Sequence, residues 1–143
     1  MSTTTTSSLR ASAPPQGTLY FHAGIPGFPR AKAFSLRPWG NEPTPFKVLE
    51  CQDVPGLCFV TVDPAIFFPD YEPRFGAEVY QALDAERDDG VDVLVILTLH
   101  SKPEDTTANL LGPVVVNPGT GRAVQAVLSG SGFGPQTPIV KKV

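Results

Sequence analysis

At 143 residues, with sixteen prolines and thirteen glycines, the chain is long enough for one domain that buries about 68 to 70% of its unfolded surface and too rich in turn formers for a helical bundle. Two cysteines exclude a disulfide scaffold, and the longest apolar run, residues 93–99, is too short to span a bilayer as a helix. The net charge of −3 is polarised: residues 1–45 carry four basic and one acidic group, residues 46–105 four basic and thirteen acidic, and residues 106–143 three basic and none acidic. An acidic centre repels phosphate backbones and attracts basic surfaces, which argues against direct nucleic-acid binding and for a basic protein partner. The plainer explanation is a solvated acidic face that aids solubility.

Residues 1–17 form a polar, Pro-punctuated leader with nothing to bury, and the composition predicts disorder there. The leader is Ser/Thr-rich without an apolar stretch, so it does not resemble a signal peptide, and a reducing cytosol is the expected compartment. Residues 18–22 (TLYFH) read as a short strand, ended by the turn cluster GIPGFP at residues 24–29. Phe34 and Leu36 alternate with Ser35 and Arg37 and predict a half-exposed second strand. Pro45 followed by Phe46 and Leu49 three apart fits a single helical turn.

Residues 58–71 constrain the chain most. Cys58, Phe59, Val60, Thr61 and Val62 form a β-branched and aromatic run, read as a buried strand in which Phe59, Val60 and Val62 are core anchors worth roughly 1.5 to 3 kcal/mol each. Asp63-Pro64 ends it, because proline fixes φ and donates no hydrogen bond. An apolar bridge then leads through Phe68 and Pro69 to a polar-aromatic corner at Asp70, Tyr71 and Glu72.

Residues 77–85 carry the one helical pattern, with Val79 and Leu83 inward and Tyr80 and Ala82 as further inward candidates. The acids Asp84, Glu86, Asp88 and Asp89 would oppose the helix dipole, so the helix should stop before them. Residues 92–100 (DVLVILTLH) form a strand apolar on both faces, hence central in its sheet, followed by a polar loop at 101–107. Residues 114–116 and 123–128 flank the turn NPGTG and predict an antiparallel hairpin. Residues 129–134 read as a flexible exit and 136–143 as a loosely held basic tail, so that 131–143 is expected to be a flexible C-terminal tail. About seven strands and one short helix imply a mainly β fold: a small antiparallel barrel-like single domain, residues 18–130, with a helix inserted.

Candidate chemistry is sparse. His22, His100, Cys51 and Cys58 are metal-ligating residue types without the close spacing of zinc sites, so no metal or cofactor is expected. Cys58 heads a strand read as buried, leaving Cys51 as the better candidate nucleophile. Asp63, Asp70 and Glu72 are candidate acid/base carboxylates, though each neighbours a proline or turn that it would close. The GSGFG run at 130–134 lacks the spacing of a phosphate loop. Asn109, followed by Leu110, Leu111, Gly112 and Pro113, places an amide beside apolar groups where a loop meets a strand, a position suited to satisfying backbone groups.

Four blocks in order resemble the flagellar assembly factor FliW family: GIPGF at 24–28 with Phe34, Ser35 and Leu36; PFKVL at 45–49; FVTVDP at 59–64 with FPDY at 68–71; and ANLLGPVVVN at 108–117 with QAVL at 125–128. The resemblance covers roughly residues 18 to 130, while Pro29 stands where that family usually has an acidic residue and Val48 where it commonly has an aromatic. It implies a small cytosolic β-barrel without enzymatic activity or cofactor. Such a protein binds flagellin before export, in chaperone fashion, and antagonises CsrA, a basic RNA-binding repressor of flagellin translation. It would be a monomer when free, with no membrane or direct nucleic-acid contact. The corners at Pro45 and Phe46, at Asp70 and Tyr71, and at Asn109, Leu110 and Pro113 are the expected partner-binding residues. The competing readings are a small hydrolase using Cys51 or the Asp63 and Asp70 carboxylates, and a barrel that binds a small ligand.

Overall fold

Alternation of apolar and polar side chains dictates the first half of the fold. In the computed structural model, which describes residues 17–41, 43–86 and 90–140, strand β1 (Gly17–Phe21) buries Leu19 and Phe21, and β2 (Ala33–Pro38) buries Phe34 and Leu36. Strand β3 (Phe46–Cys51) turns Leu49 and Cys51 to the same interior. Phe21 and Phe34 meet edge-on with ring centroids 5.2 Å apart. The expected leader lies outside the described residues except for Gly17, which opens β1.

Residues 45–49 are not a helical turn. Phe46 to Cys51 pair with both β2 and β4 (Cys58–Val62), so ladder hydrogen bonds on two sides override the local three-residue spacing. Within β4 the burial also differs from expectation: Thr61 and Val62 are fully buried, whereas Phe59 and Val60 are half-buried. Thr61 is tolerated inside because its hydroxyl donates to the Lys47 carbonyl at 3.2 Å.

The second half closes the sheet. Strands β5 (Asp92–Thr98), β7 (Val114–Val116) and β8 (Arg122–Gln125) follow in the order β4-β3-β2-β1-β8-β7-β5, and pairing of Thr61 with Ile96 and Val62 with Val95 joins β5 back to β4. Closure removes the edges of a seven-stranded barrel. One seam departs from the antiparallel expectation: β1 and β8 run parallel, with Tyr20 opposite Arg122 and Phe21 opposite Ala123. Gly121 permits it, at φ 81, where a Cβ would lie 2.8 Å from the Thr18 carbonyl oxygen.

Two short strands extend the sheet beyond β5: β6 (Thr107–Ala108), preceded by a 3-10 turn (Pro103–Asp105), and β9 (Thr137–Pro138), which pairs with β6. The polar loop expected at 101–107 therefore ends in a strand. The tail expected to be flexible from residue 131 folds back as far as residue 140, and residues 141–143 lie outside the description.

An outer layer explains why β5 is apolar on both faces. Leu94 and Ile96 point into the barrel, while Val95 and Leu97 lie outside beneath Phe67, Phe68 and Ile139. Helix α1 (Ala77–Leu83) lays Val79 and Leu83 over Val115 and Ala126, whereas Ala82 is exposed. The helix ends at Asp84, which adopts φ 54. The Asn117 amide donates to the Leu83 carbonyl at 2.9 Å and so satisfies one of the helix's terminal acceptors. Of the acids expected beyond the helix, Asp88 and Asp89 lie outside the described residues.

Candidate functional site

Asp63 and two prolines build the site's first wall. The Asp63 carboxylate accepts from the Ala65 N–H at 2.9 Å and caps a 3-10 turn (Pro64–Ile66), which throws Phe67 and Phe68 across the outside of β4 and β5. The chain then turns at Pro69 and Asp70 and is pinned by Tyr71, whose hydroxyl donates to the Leu110 carbonyl at 2.7 Å. Phe133, returning from the C-terminal segment, meets the Tyr71 ring edge-on at 4.7 Å.

Between these groups lies an open groove of about 310 Å³, lined by residues 67–71, Leu110 and Phe133. Its floor is apolar and Asp70 supplies its one charged side chain. Burial pushes the Tyr71 hydroxyl up to about 12, so the phenol is neutral and remains a donor to Leu110. The apolar surface continues past the groove: Phe67 stacks with Phe46 at 6.2 Å, and Phe46 meets Trp39 edge-on at 5.9 Å. Trp39 and Ile66 are exposed along this row, at 42% and 52%.

The residues singled out in the sequence divide into three groups. Asp70, Tyr71 and Leu110 come together at the groove, and Phe46 joins it through Phe67. Pro45 is exposed beside Phe46. Asn109 and Pro113 face inward duties instead: the Asn109 side-chain oxygen accepts from the Gly112 N–H at 2.9 Å, and Pro113 is buried. Leu110 is itself 5% exposed, so it offers its backbone and the edge of its side chain rather than a free surface. Sequence reasoning missed Trp39, Phe67 and Phe133; aromatic side chains in Pro- and Gly-rich segments that should otherwise be polar were the available signal.

The cysteines are reversed from expectation. Cys58 is exposed, and it is Cys51 that is buried in the barrel, where its sulfur accepts from the Val54 N–H at 3.3 Å. Side chains alternate across the β3–β4 ladder, in which Cys58 faces the exposed Glu50, so the two thiols lie on opposite faces. His22 and His100 are both exposed. Among the described residues no three His, Cys, Asp or Glu side chains come together in a way that would hold a metal ion. Asp63 serves as a cap.

The acidic centre also resolves into working parts. Glu50 pairs with Arg37 at 3.3 Å. Asp53 accepts from the Lys32 and Ala33 N–H groups, both at 2.9 Å, and these bonds hold its carboxyl below the ordinary value of 3.8. Asp92 is buried. Asp70, Glu72, Glu78, Asp84, Glu86 and Glu104 remain exposed.

Comparison with known proteins shows what the chain is similar to. The family model described as FliW protein matches residues 2–139. A relative from Bacillus subtilis (strain 168), named "Flagellar assembly factor FliW", is 37% identical over 121 residues, covering 85% of this chain and 84% of that protein. One of the same name from Caldanaerobacter subterraneus subsp. tengcongensis is 33% identical, covering 90% of this chain and 85% of the other. A solved structure described as "Crystal structure of the flagellar assembly factor FliW" superposes with a TM-score of 0.80 at 31% identity and covers 87% of this chain and 86% of its own.

Proposed function

The chain belongs to the FliW family of flagellar assembly factors, and from that footing we propose that it acts in the cytosol by holding other polypeptides and not by catalysis. Its partners are flagellin and a basic RNA-binding regulator of the CsrA type. Occupation by one antagonises occupation by the other, so free flagellin sets how much regulator is left to repress flagellin synthesis. The groove beside Tyr71 is the partner surface, with Phe46 and Asp70 at its margins.

The observation that carries this reading is the aromatic row from exposed Trp39 through half-buried Phe46 to half-buried Phe67, opening onto a preformed apolar groove with a carboxylate at its lip. Rigid aromatic anchors beside a charged rim are what a protein-binding surface needs. The acidic lip supports the basic partner in particular, since opposite potentials steer encounter and reject like-charged competitors.

The test is size-exclusion co-elution of the purified chain with flagellin and, separately, with the CsrA-type regulator. A stable complex with each, and loss of one when the other is added in excess, is the expected result. No complex with either at micromolar concentration would defeat the reading.

A further inference from the structure

Residues 129–140 contain no charged side chain and are held to the barrel by main-chain bonds and two apolar side chains, Phe133 and Ile139. Gly130 and Gly132 sit at φ 76 and φ 88, where glycine bends a chain without strain. Beyond them Phe133 lies against Tyr71, and the Gly134 carbonyl accepts from the N–H groups of Leu110 at 3.0 Å and Leu111 at 3.1 Å. Strand β9 then pairs with β6 at two register positions, Thr107 with Pro138 and Ala108 with Thr137. The strap thus engages its own barrel as an extended ligand engages a receptor by strand addition: main-chain bonds supply adhesion, Phe133 fills a pocket, and Ile139 covers Val95 and Leu97.

We infer that this strap is an exchangeable occupant of the site, displaced by a partner segment of matching form. That segment is extended, carries a large apolar side chain where Phe133 now sits, continues into backbone that pairs with β6, and places a basic group opposite Asp70. The inference rests on the protein-binding reading above and says how that site is engaged. Asp70 makes no ion pair with any described residue, and residues 129–140 carry no cation to bring to it. A partner with a basic flank therefore gains an interaction that the resident strap cannot make. Residues 129–140 of a second copy would bring the same uncharged sequence to Asp70, so that stretch gains nothing there by strand exchange between copies, whereas a different protein with a basic group beside its apolar anchor does.

Locking the strap tests this directly. The Ile139 N–H donates to the Thr106 carbonyl at 3.2 Å, which makes the adjacent pair, Thr107 and Pro138, the non-hydrogen-bonded one. Such pairs have Cα atoms about 4.5 Å apart, within disulfide reach. Thr107→Cys with Pro138→Cys, in a Cys58→Ser background, fixes the strap when oxidised and frees it when reduced. With flagellin and the CsrA-type regulator each titrated in turn, the oxidised form is expected to bind at least one of them about tenfold or more weakly than the reduced form. Phe133→Ala is expected to bind that partner more tightly than the unaltered chain, and the lock stands alone if that variant does not fold. Equal affinity of the oxidised and reduced forms overturns the inference and leaves the protein-binding reading intact. Absence of binding by the unaltered chain removes that reading and the inference with it. A stable dimer that the lock abolishes assigns the strap to self-exchange and also overturns it.

Discussion

The Tyr71 hydroxyl and the Leu110 carbonyl meet at 2.7 Å although 39 residues separate them along the chain. This bond ties the 64–71 segment to the loop between β6 and β7 and fixes the shape of the groove. Tyr71→Phe should cost about 1 kcal/mol of folding stability, the net worth of one partly buried hydrogen bond. Burial of the same phenol sets a pH signature. Burial raises the phenol from 10 to about 12 in the folded chain, so the folded state holds its proton more tightly than the unfolded state. The stabilisation is full below pH 10 and is lost as pH rises through about 12. Urea titrations from neutral to alkaline pH should show the gap between the unaltered chain and Tyr71→Phe narrowing across that window.

Asp53 closes the turn between β3 and β4 onto β2, through two hydrogen bonds from the Lys32 and Ala33 N–H groups. Its carboxyl is held below 3.8 chiefly by the Ala33 bond and then by the Lys32 bond. A depressed folded-state value stabilises the fold above the unfolded value and is lost as pH falls through the folded one. Asp53→Asn should therefore lower the thermal midpoint at neutral pH, and the difference should shrink once the buffer is taken below pH 3.8. A difference that stays constant with pH would show that the charge is not what these bonds use.

The two thiols should respond differently to reagent. Cys58 is exposed and Cys51 is 6% exposed inside the barrel. Iodoacetamide under native conditions should add one carbamidomethyl group, located at Cys58 by peptide mass spectrometry, and a second only after denaturation. Prompt modification of Cys51 would contradict its place in the core.

Much of this architecture was legible in the sequence because the signals were local and of one period. Phe34 and Leu36 alternate, Val79 and Leu83 share a helical face, and NPGTG sits between two β-branched runs; each appears in the structure as read. The errors arose where partners distant in sequence decide. Phe46 and Leu49 have helical spacing, yet two flanking strands claim them. Cys58 was placed inside because its strand is apolar, but a period of two exposes every second residue and nothing covers that face at Cys58. The parallel β1–β8 seam joins segments a hundred residues apart and has no local mark.

The groove was half legible for the same reason. The corner at Asp70 and Tyr71 announces itself through proline and aromatic residues, whereas the Asn109 amide marks the neighbouring loop and not the groove itself. Phe133 sits in a Ser/Gly stretch that reads as flexible, and it is folded back by partners distant in sequence: the Tyr71 ring, the Leu110 and Leu111 N–H groups that reach the Gly134 carbonyl, and β6. Local composition gives the freedom of the free chain, whereas the fold supplies the acceptors that remove it.

Asp70 offers the most direct probe of partner binding through this groove, because it lines the site, is exposed and makes no ion pair with any described residue. Asp70→Lys should leave the thermal midpoint within a degree or two, since an exposed substitution of this kind shifts stability by about 0.5 kcal/mol or less. Isothermal titration of the CsrA-type regulator into the unaltered chain and into Asp70→Lys should then show affinity falling about tenfold or more, with a weaker dependence on salt in the variant. Equal affinity of the two chains for the regulator, with the same salt dependence, would contradict partner binding at this surface.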